Sequence, residues 1–573
     1  MKNRNRTIIP IIAAMLAFSA IGARLFFLQV WHQEEIYHRA QKLVCREHPE
    51  MPLRGMILDK QGRVLAMSVK EYSLFADTNL MTEPAEVERQ LAKLHVSIPR
   101  GILAAKNGSS YIPLTGSLDL ETVKRIKQLR QPGLGFESKF SRRHPEGKMA
   151  CHILGVVGKD NAGLEGIEYV ANSYLTGEKL KNLRMRDGRG REIAERLLKP
   201  EELRGADVRL TIDRNIQFIA EQEIDRAWRQ SNAKKAMIII QDPSSGEILA
   251  MASRPNYDPG DFSGSWSALK NPAVSDIFEP GSTFKAITAA AALEEKLVKR
   301  SEVLWCEDGK YKMYGHTIND HEKKGLLTFD QIMEYSSNIG FAKVSQRLGK
   351  EKLYRYIRQF GFNTVTGIDL PGEARGLLRE PEKWDGLSLP TISFGQGIGV
   401  TALQISNAYA ALFNGGLLLE PRLIDEIRRP DGEIIYRSER RVIRAAVSPE
   451  VANEIHEMLI GVVEKGTGRA AKVPYYSVGG KTGTAQKRDP STKKYSPTSY
   501  IASFCGVIPA NNPRMVITVV LDEPKGDYWG SSRAAPVFNK VAARAVSYLR
   551  ISPDQQTIYL AKGGNETTVA LKR

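Results

Sequence analysis

Residues 278–295 read FEPGSTFKAITAAAALEE. Phe-Glu-Pro-Gly is turn chemistry, and the run from Phe284 onward is rich in strong helix formers, so the segment predicts a turn feeding a helix. Ser282 and Lys285 stand three residues apart at that helix start, which sets both on one face and within reach of each other. A hydroxyl is a poor nucleophile near neutral pH and needs an adjacent base, and a lysine can serve only when neutral. Two other Ser-x-x-Lys matches, at 267–270 and 491–494, lack this setting. Pro272 closely follows the first and the second lies in a polar loop, and neither holds a nucleophile rigidly.

Two further short motifs follow in the chain. Ser336-Ser337-Asn338 comes after a helical pattern and, taken alone, reads as a helix-terminal cap. Lys481-Thr482-Gly483 lies in GGKTGTAQ (479–486). Gly480-Lys481-Thr482 imitates the end of a phosphate-binding loop, but the first glycine that loop requires falls on Tyr475. The glycines at 395, 397 and 399 follow no βαβ pattern and predict a tight turn beside the site. His316, Asp320 and His321 hint at a metal, but no third ligand stands at a standard spacing, so the cluster reads as structural. Trp384 and Trp529 could line a cleft or fill core. Ser-x-x-Lys, Ser-x-Asn and Lys-Thr-Gly, in this order, form the set used by penicillin-binding proteins and serine β-lactamases.

The resemblance extends well beyond that set. FEPGSTFK (278–285), YSSN (335–338), SFGQGIGVTALQISNAYAALFNGG (393–416) and GGKTGTAQ (479–486) resemble the transpeptidase domain of class B penicillin-binding proteins. RGMILDKQGRVLAMS (54–68), RRHPEG (142–147), GLEGIE (163–168), RDGRG (186–190) and LTIDRNIQ (210–217) resemble the pedestal motifs of that class, and RLFFLQV (24–30) its anchor. His144 stands where the family often has tyrosine, away from the catalytic motifs. SFGQG, VTALQ and NGG look more like the division (FtsI-like) branch than the elongation branch. The lack of PASTA modules after them points away from a sporulation relative of the SpoVD type. No glycosyltransferase domain of the class A kind is found.

The resemblance implies a D,D-transpeptidase that cross-links D-alanyl-D-alanine stem peptides during septal wall synthesis, binds β-lactams covalently and uses no cofactor and no metal. Its expected partners are peptidoglycan stem peptides on strands made from lipid-linked precursors, a SEDS-type glycosyltransferase such as FtsW, and other divisome proteins. Carried over position by position, Ser282 is the nucleophile, Lys285 the base, Ser336 a proton relay, and Asn338 a holder of Lys285 or the substrate amide. Lys481, Thr482 and Thr484 bind the substrate carboxylate, Gly483 lets the substrate backbone come close, and the backbone N–H groups of Ser282 and Thr484 form the oxyanion hole. Burial and the nearby Lys481 cation are expected to favour neutral Lys285. The alternatives are a D,D-carboxypeptidase, a β-lactamase (for which no deacylating glutamate is found) and a non-catalytic penicillin-binding sensor or divisome scaffold.

Bulk properties set the surroundings. The chain has 573 residues, 42% hydrophobic and 26% charged, with a formal net charge of +17. That is long enough for several cores. The basic residues are spread without long runs, so the charge reads as solvated surface and not as a nucleic-acid site. Cys45, Cys151, Cys306 and Cys505 stand singly, which excludes a CxxC site and leaves their pairing open. Residues 8–30 form an apolar run preceded by Lys2, Arg4 and Arg6. At about 1.5 Å per residue it can span a bilayer, with the N-terminus cytoplasmic and the body on the extracytoplasmic, periplasmic side of the inner membrane. A cleaved signal peptide is the competing reading, disfavoured because LFFLQVW continues the apolar run past Arg24.

The expected layout is a cytoplasmic tail (1–7), a transmembrane anchor (8–30), a mixed α+β pedestal of the dimerisation type (31–232), the transpeptidase domain (233–550) and a C-terminal tail (551–573). Strands at both ends of the catalytic segment with helices between predict a multidomain α+β chain. In its catalytic domain, helices cover an antiparallel sheet and the first and last strands lie side by side. Helices are expected at 286–297, 328–348, 350–360, 402–413 and 449–464.

Overall fold

The computed structural model describes residues 4–27, 45–50, 53–81, 83–99, 101–103, 111–158, 160–176, 180–186, 192–195, 204–262, 264–489, 491–492, 494–555, 559–561 and 568–570. The chain divides into two compact units. The smaller unit comprises residues 1–53 and 176–205. It holds the helix Arg4–Phe26 and a three-stranded antiparallel sheet in which Leu180–Arg186 lies between Cys45–Glu50 and Glu192–Glu195. Among the described residues no helix is long and apolar enough to cross a membrane. Residues 28–30 of the expected anchor lie outside the described residues, as do residues 187–190 of the RDGRG motif, most of the tail beyond 555 and the Cys45 side chain.

The second unit holds the three chemical motifs. Its central sheet has five strands: β1 (Lys235–Gln241), β2 (Ile248–Arg254), β3 (Gly479–Arg488), β4 (Tyr495–Ile508) and β5 (Met515–Asp522). The order is β2-β1-β5-β4-β3 and every pairing is antiparallel. The first of these strands in chain order therefore pairs with the last, as the strand pattern predicted, and β3 is left at an edge. β1, β2 and β5 are apolar nearly throughout because both faces are covered. Along β1, Ala236, Ile238 and Ile240 face one core while Met237 and Ile239 face another, the period-two alternation of a strand.

One face carries α1 (Arg214–Ser231) and the C-terminal helix 535–548, whose apolar residues share a core with Ala236, Ile238 and Ile240. On the opposite face, α2 (Lys285–Glu294), α3 (Asn338–Leu348), α4 (Ala402–Leu412) and α5 (Pro449–Glu464) form a helical core with Cys505 and Val507 of β4 and Val516 of β5, distinct from the core that Met237 and Ile239 enter. α2 is almost wholly buried and half alanine, which lets its neighbours approach closely. The expected helix over 328–348 is in fact two, Phe329–Glu334 and α3. The break is at Ser336, whose φ of 60° is left-handed. Hydrophobic periodicity runs through the break, so it could not signal it.

Three of the pedestal motifs, those holding Arg54, Arg142 and Glu168, converge on one buried ion cluster. Arg54 Nε donates to Glu168 Oε2 at 2.5 Å, Arg142 Nε donates to Glu168 Oε1 at 2.7 Å, and Arg54 Nη1 donates to Asn172 Oδ1 at 2.8 Å. The strand Ile57–Leu58 then joins a larger sheet through Asp207–Leu210 to Ile424–Arg428 and Ile434–Arg437. The last two strands fall inside the segment assigned to the catalytic domain, so that sheet draws strands from both the pedestal and the catalytic segments.

Candidate active site

Ser282 lies in the single 3-10 turn Gly281–Phe284 that leads into α2. In that turn the backbone N–H of Lys285 donates to the Ser282 carbonyl, which fixes the three-residue spacing read from the sequence. The turn is held from several sides. Gly281 N donates to Gly395 O at 3.0 Å, Thr283 Oγ1 to Pro280 O at 2.9 Å, and the buried Tyr409 hydroxyl to Thr283 O at 2.7 Å. A Cβ on Gly395 would stand 2.1 Å from Gly281 O, so the glycine-rich turn at 395–399 packs against the Ser282 turn as backbone on backbone. Among the described residues the Ser282 hydroxyl has no hydrogen-bond partner, and it opens on a cavity of about 410 Å³.

Lys285 is fully buried beneath that cavity. Its three ammonium donors reach Ser336 O (2.6 Å), Ser336 Oγ (3.1 Å) and Asn338 Oδ1 (2.8 Å). Burial, with Lys481 next in weight, holds the ammonium well below the usual lysine range, while Asp320 pulls the other way. Lys481, on edge strand β3, is equally buried, and burial pushes it down to about 7. Two buried cations oppose each other's protonation, so this site favours one neutral lysine near neutral pH.

The remaining expected residues fall into three settings. Ser282, Ser336, Asn338, Thr482 and Thr484 line the same cavity, together with His321, Thr467 and Trp529. Thr467 Oγ1 lies 3.4 Å from Lys481 Nζ and 3.1 Å from Thr482 Oγ1, tying two of the three carboxylate-binding candidates together. The Thr484 hydroxyl accepts from Gly530 N at 3.0 Å, which leaves its proton free to donate into the cavity. Gly483 does not line the cavity. A Cβ there would meet Ser503 Oγ at 2.3 Å, Pro280 O at 2.9 Å and Thr283 Cγ2 at 3.0 Å. The glycine thus makes room for the protein's own Ser282 turn, where the sequence had suggested room for substrate backbone.

Sequence reasoning missed Thr467 and Gly530, which carry no pattern beyond their places in KGTGR and YWGSS. The two tryptophans left open now separate. Trp384 is buried in the helical core and donates to Arg379 O at 2.8 Å, whereas Trp529 is 38% exposed at the cavity, with its ring 4.4 Å from that of His321. Among the described residues no group of His, Cys, Asp and Glu could hold a metal, and Cys151, Cys306 and Cys505 are buried free thiols.

Comparison with known proteins gives the same reading as the geometry. Residues 236–543 match the penicillin binding protein transpeptidase domain, and residues 49–210 match the penicillin-binding protein dimerisation domain. Stage V sporulation protein D of Bacillus subtilis is 33% identical over 577 residues, covering 98% of this chain and 89% of that protein. Peptidoglycan D,D-transpeptidase FtsI of Escherichia coli is 29% identical over 555 residues, with 95% and 92% covered. Penicillin-binding protein 3 from Mycobacterium tuberculosis, in complex with aztreonam, superposes with a TM-score of 0.69 at 28% identity, covering 89% of this chain and 99% of that one. The chain belongs to the penicillin-binding protein transpeptidase family, as a class B member of the FtsI type. A sporulation protein stands beside FtsI among these relatives, so overall likeness does not separate a division role from a sporulation role.

Proposed function

We propose that this chain is a peptidoglycan D,D-transpeptidase working through an acyl-Ser282 intermediate. The observation that carries the proposal is the fully buried Lys285, held by Ser336 and Asn338 next to a second buried lysine, below a cavity onto which Ser282 opens.

Neutral Lys285 takes the Ser282 proton as Oγ attacks the carbonyl carbon of the penultimate D-alanine. Backbone N–H groups of Ser282 and Thr484 meet the oxyanion as the tetrahedral centre forms. The C–N bond breaks, the proton passes through Ser336 Oγ to the departing nitrogen, and terminal D-alanine leaves. Lys481, Thr482 and Thr484 bind its carboxylate. That arriving charge favours the protonated form of Lys481 and so widens the difference between the two lysines. An amine from a neighbouring stem peptide then attacks the ester. It gives up its proton along the reverse route, and the new amide leaves Ser282 free. A β-lactam enters by the same first step, but opening its ring leaves no departing group.

The wider setting belongs to the same proposal. Residues 8–30 anchor the chain in the inner membrane, with 1–7 cytoplasmic and the pedestal (31–232), transpeptidase domain (233–550) and tail (551–573) on the periplasmic side. The apolar run and its basic N-terminal flank support this placement. The enzyme acts in septal synthesis beside an FtsW-like polymerase and other divisome proteins, as the FtsI-like blocks suggest.

The test supplies the purified chain with a donor peptide ending in D-alanyl-D-alanine, with and without an acceptor amine. Amide product that grows with acceptor concentration, at the expense of free acid, is expected. Free acid alone would make the chain a carboxypeptidase. No turnover, with penicillin still bound covalently, would make it a sensor or scaffold.

A further inference from the structure

Asp320 follows the strand His316–Asn319 and was read from sequence as one corner of a doubtful metal cluster. Its carboxylate in fact grips the start of α3. Oδ1 accepts from Asn338 N at 2.5 Å and Ile339 N at 3.0 Å, while Oδ2 accepts from Ser337 Oγ at 2.5 Å. Ser337 Oγ accepts in turn from Gly340 N at 3.0 Å, so the first three N–H groups of the helix are all met. The neighbouring Asn319 O takes Asn338 Nδ2 at 2.9 Å. Asn338 is thus clamped by backbone and side chain while its Oδ1 holds Lys285 at 2.8 Å. Just before the clamp, Ser336 keeps a left-handed φ of 60°, which a serine holds only when its surroundings fix it.

The charged groups acting on Lys285 are Lys481 from β3 and Asp320 from this loop, opposite in sign. We infer that Asp320 is a positioning residue for the acylation step, holding Ser336 and Asn338 against Lys285 and setting its negative charge against the positive charge of Lys481. The inference rests on the acyl-serine reading above. Asp320 touches no reacting atom in that scheme and acts through α3 and through its field.

The test is the second-order rate of acylation by a fluorescent penicillin, measured on the full-length chain from about pH 6 to about pH 10. Wild type is compared with D320N, D320E and S337A, and thermal midpoints report folding. D320N loses one acceptor and the charge, so it should acylate roughly 10- to 100-fold more slowly. Without the neighbouring anion, its acid limb should move to lower pH, because Lys285 then gives up its proton more readily. D320E should keep the limb near the wild-type position. S337A keeps the charge but loses the Oδ2 contact, so it should slow the reaction less and leave the limb unmoved. A folded D320N whose acid limb coincides with that of wild type overturns the inference. If D320N does not fold, the decision passes to S337A and D320E. Slowed acylation with an unmoved limb in both supports the inference, and wild-type rates in both overturn it. Wild type that takes no label on Ser282 would instead remove the underlying reading.

Discussion

At the scale of single residues, the account depends on a lysine that can lose its proton. Arginine preserves charge and much of the length of Lys285 but cannot become neutral in a protein. K285R should therefore lower the acylation rate by about 10²- to 10⁴-fold, the usual worth of a general base, and also lower the thermal midpoint, because it keeps a permanent charge in a fully buried site. Because Lys285 is held well below the ordinary lysine range, the wild-type rate should rise with pH and level off well before pH 10.5. A stopped-flow pH series checks both. Ser282, Lys285, Ser336, Asn338, Lys481, Thr482 and Thr484 were legible because their chemistry repeats as short motifs with fixed spacing. The roles of Thr467 and Asp320 were not, since each sits in a loop outside the motif it serves, 14 residues before Lys481 and 18 before Asn338, and a lone threonine or aspartate has no signature.

At the scale of elements, the edge strand and the nucleophile turn are built against each other through glycines. A Cβ on Gly530 would lie 2.3 Å from Gly483 O, and one on Gly483 would strike Ser503, Pro280 and Thr283. G483A should therefore destabilise the chain by about 1–3 kcal/mol through overpacking and also slow acylation, because the displaced neighbour is the Ser282 turn. Differential scanning calorimetry and penicillin labelling together would show the paired loss. Strands and helices with clear periodicity, such as β1, β2, α4 and α5, stood out in the sequence. The helix Ala535–Tyr548 did not, although its apolar residues Val537, Phe538, Val541, Ala542, Ala545 and Val546 fall on one helical face. Two of them are only alanines, which weakens the stripe. The two-helix break at Ser336 escaped periodicity, which carries no mark of a single left-handed residue, although the cap chemistry of Ser336-Ser337-Asn338 pointed to it and Ser337 does cap α3.

At the scale of the molecule, two features outside the site govern stability. Glu168 is buried between Arg54 and Arg142, and neutralising it leaves two guanidinium groups facing an amide. E168Q should cost about 3–5 kcal/mol, read as a fall in the unfolding midpoint in urea. His144 and His152 are held down to about 4 by burial. Their unfolded counterparts titrate near 6.5, so the unfolded state binds more protons between about pH 6.5 and about pH 4. Stability from both imidazoles is full above that window and drains away as the pH falls through it. The thermal midpoint should drop between about pH 7 and about pH 5, and H144F together with H152F should flatten the slope. The pairing of Ile424–Arg428 with Asp207–Leu210 lay beyond sequence reasoning, because strand periodicity names a strand but not its distant partner.

All of this rests on Ser282 as the acylated residue. Incubating the purified chain with a fluorescent penicillin, digesting it and locating the label by mass spectrometry tests that most directly. The label should sit on Ser282, persist for many minutes and vanish in S282A while the protein stays folded. Label on any other residue, or a folded wild-type chain that takes none, would contradict the acyl-serine mechanism and leave a transpeptidase fold without its chemistry.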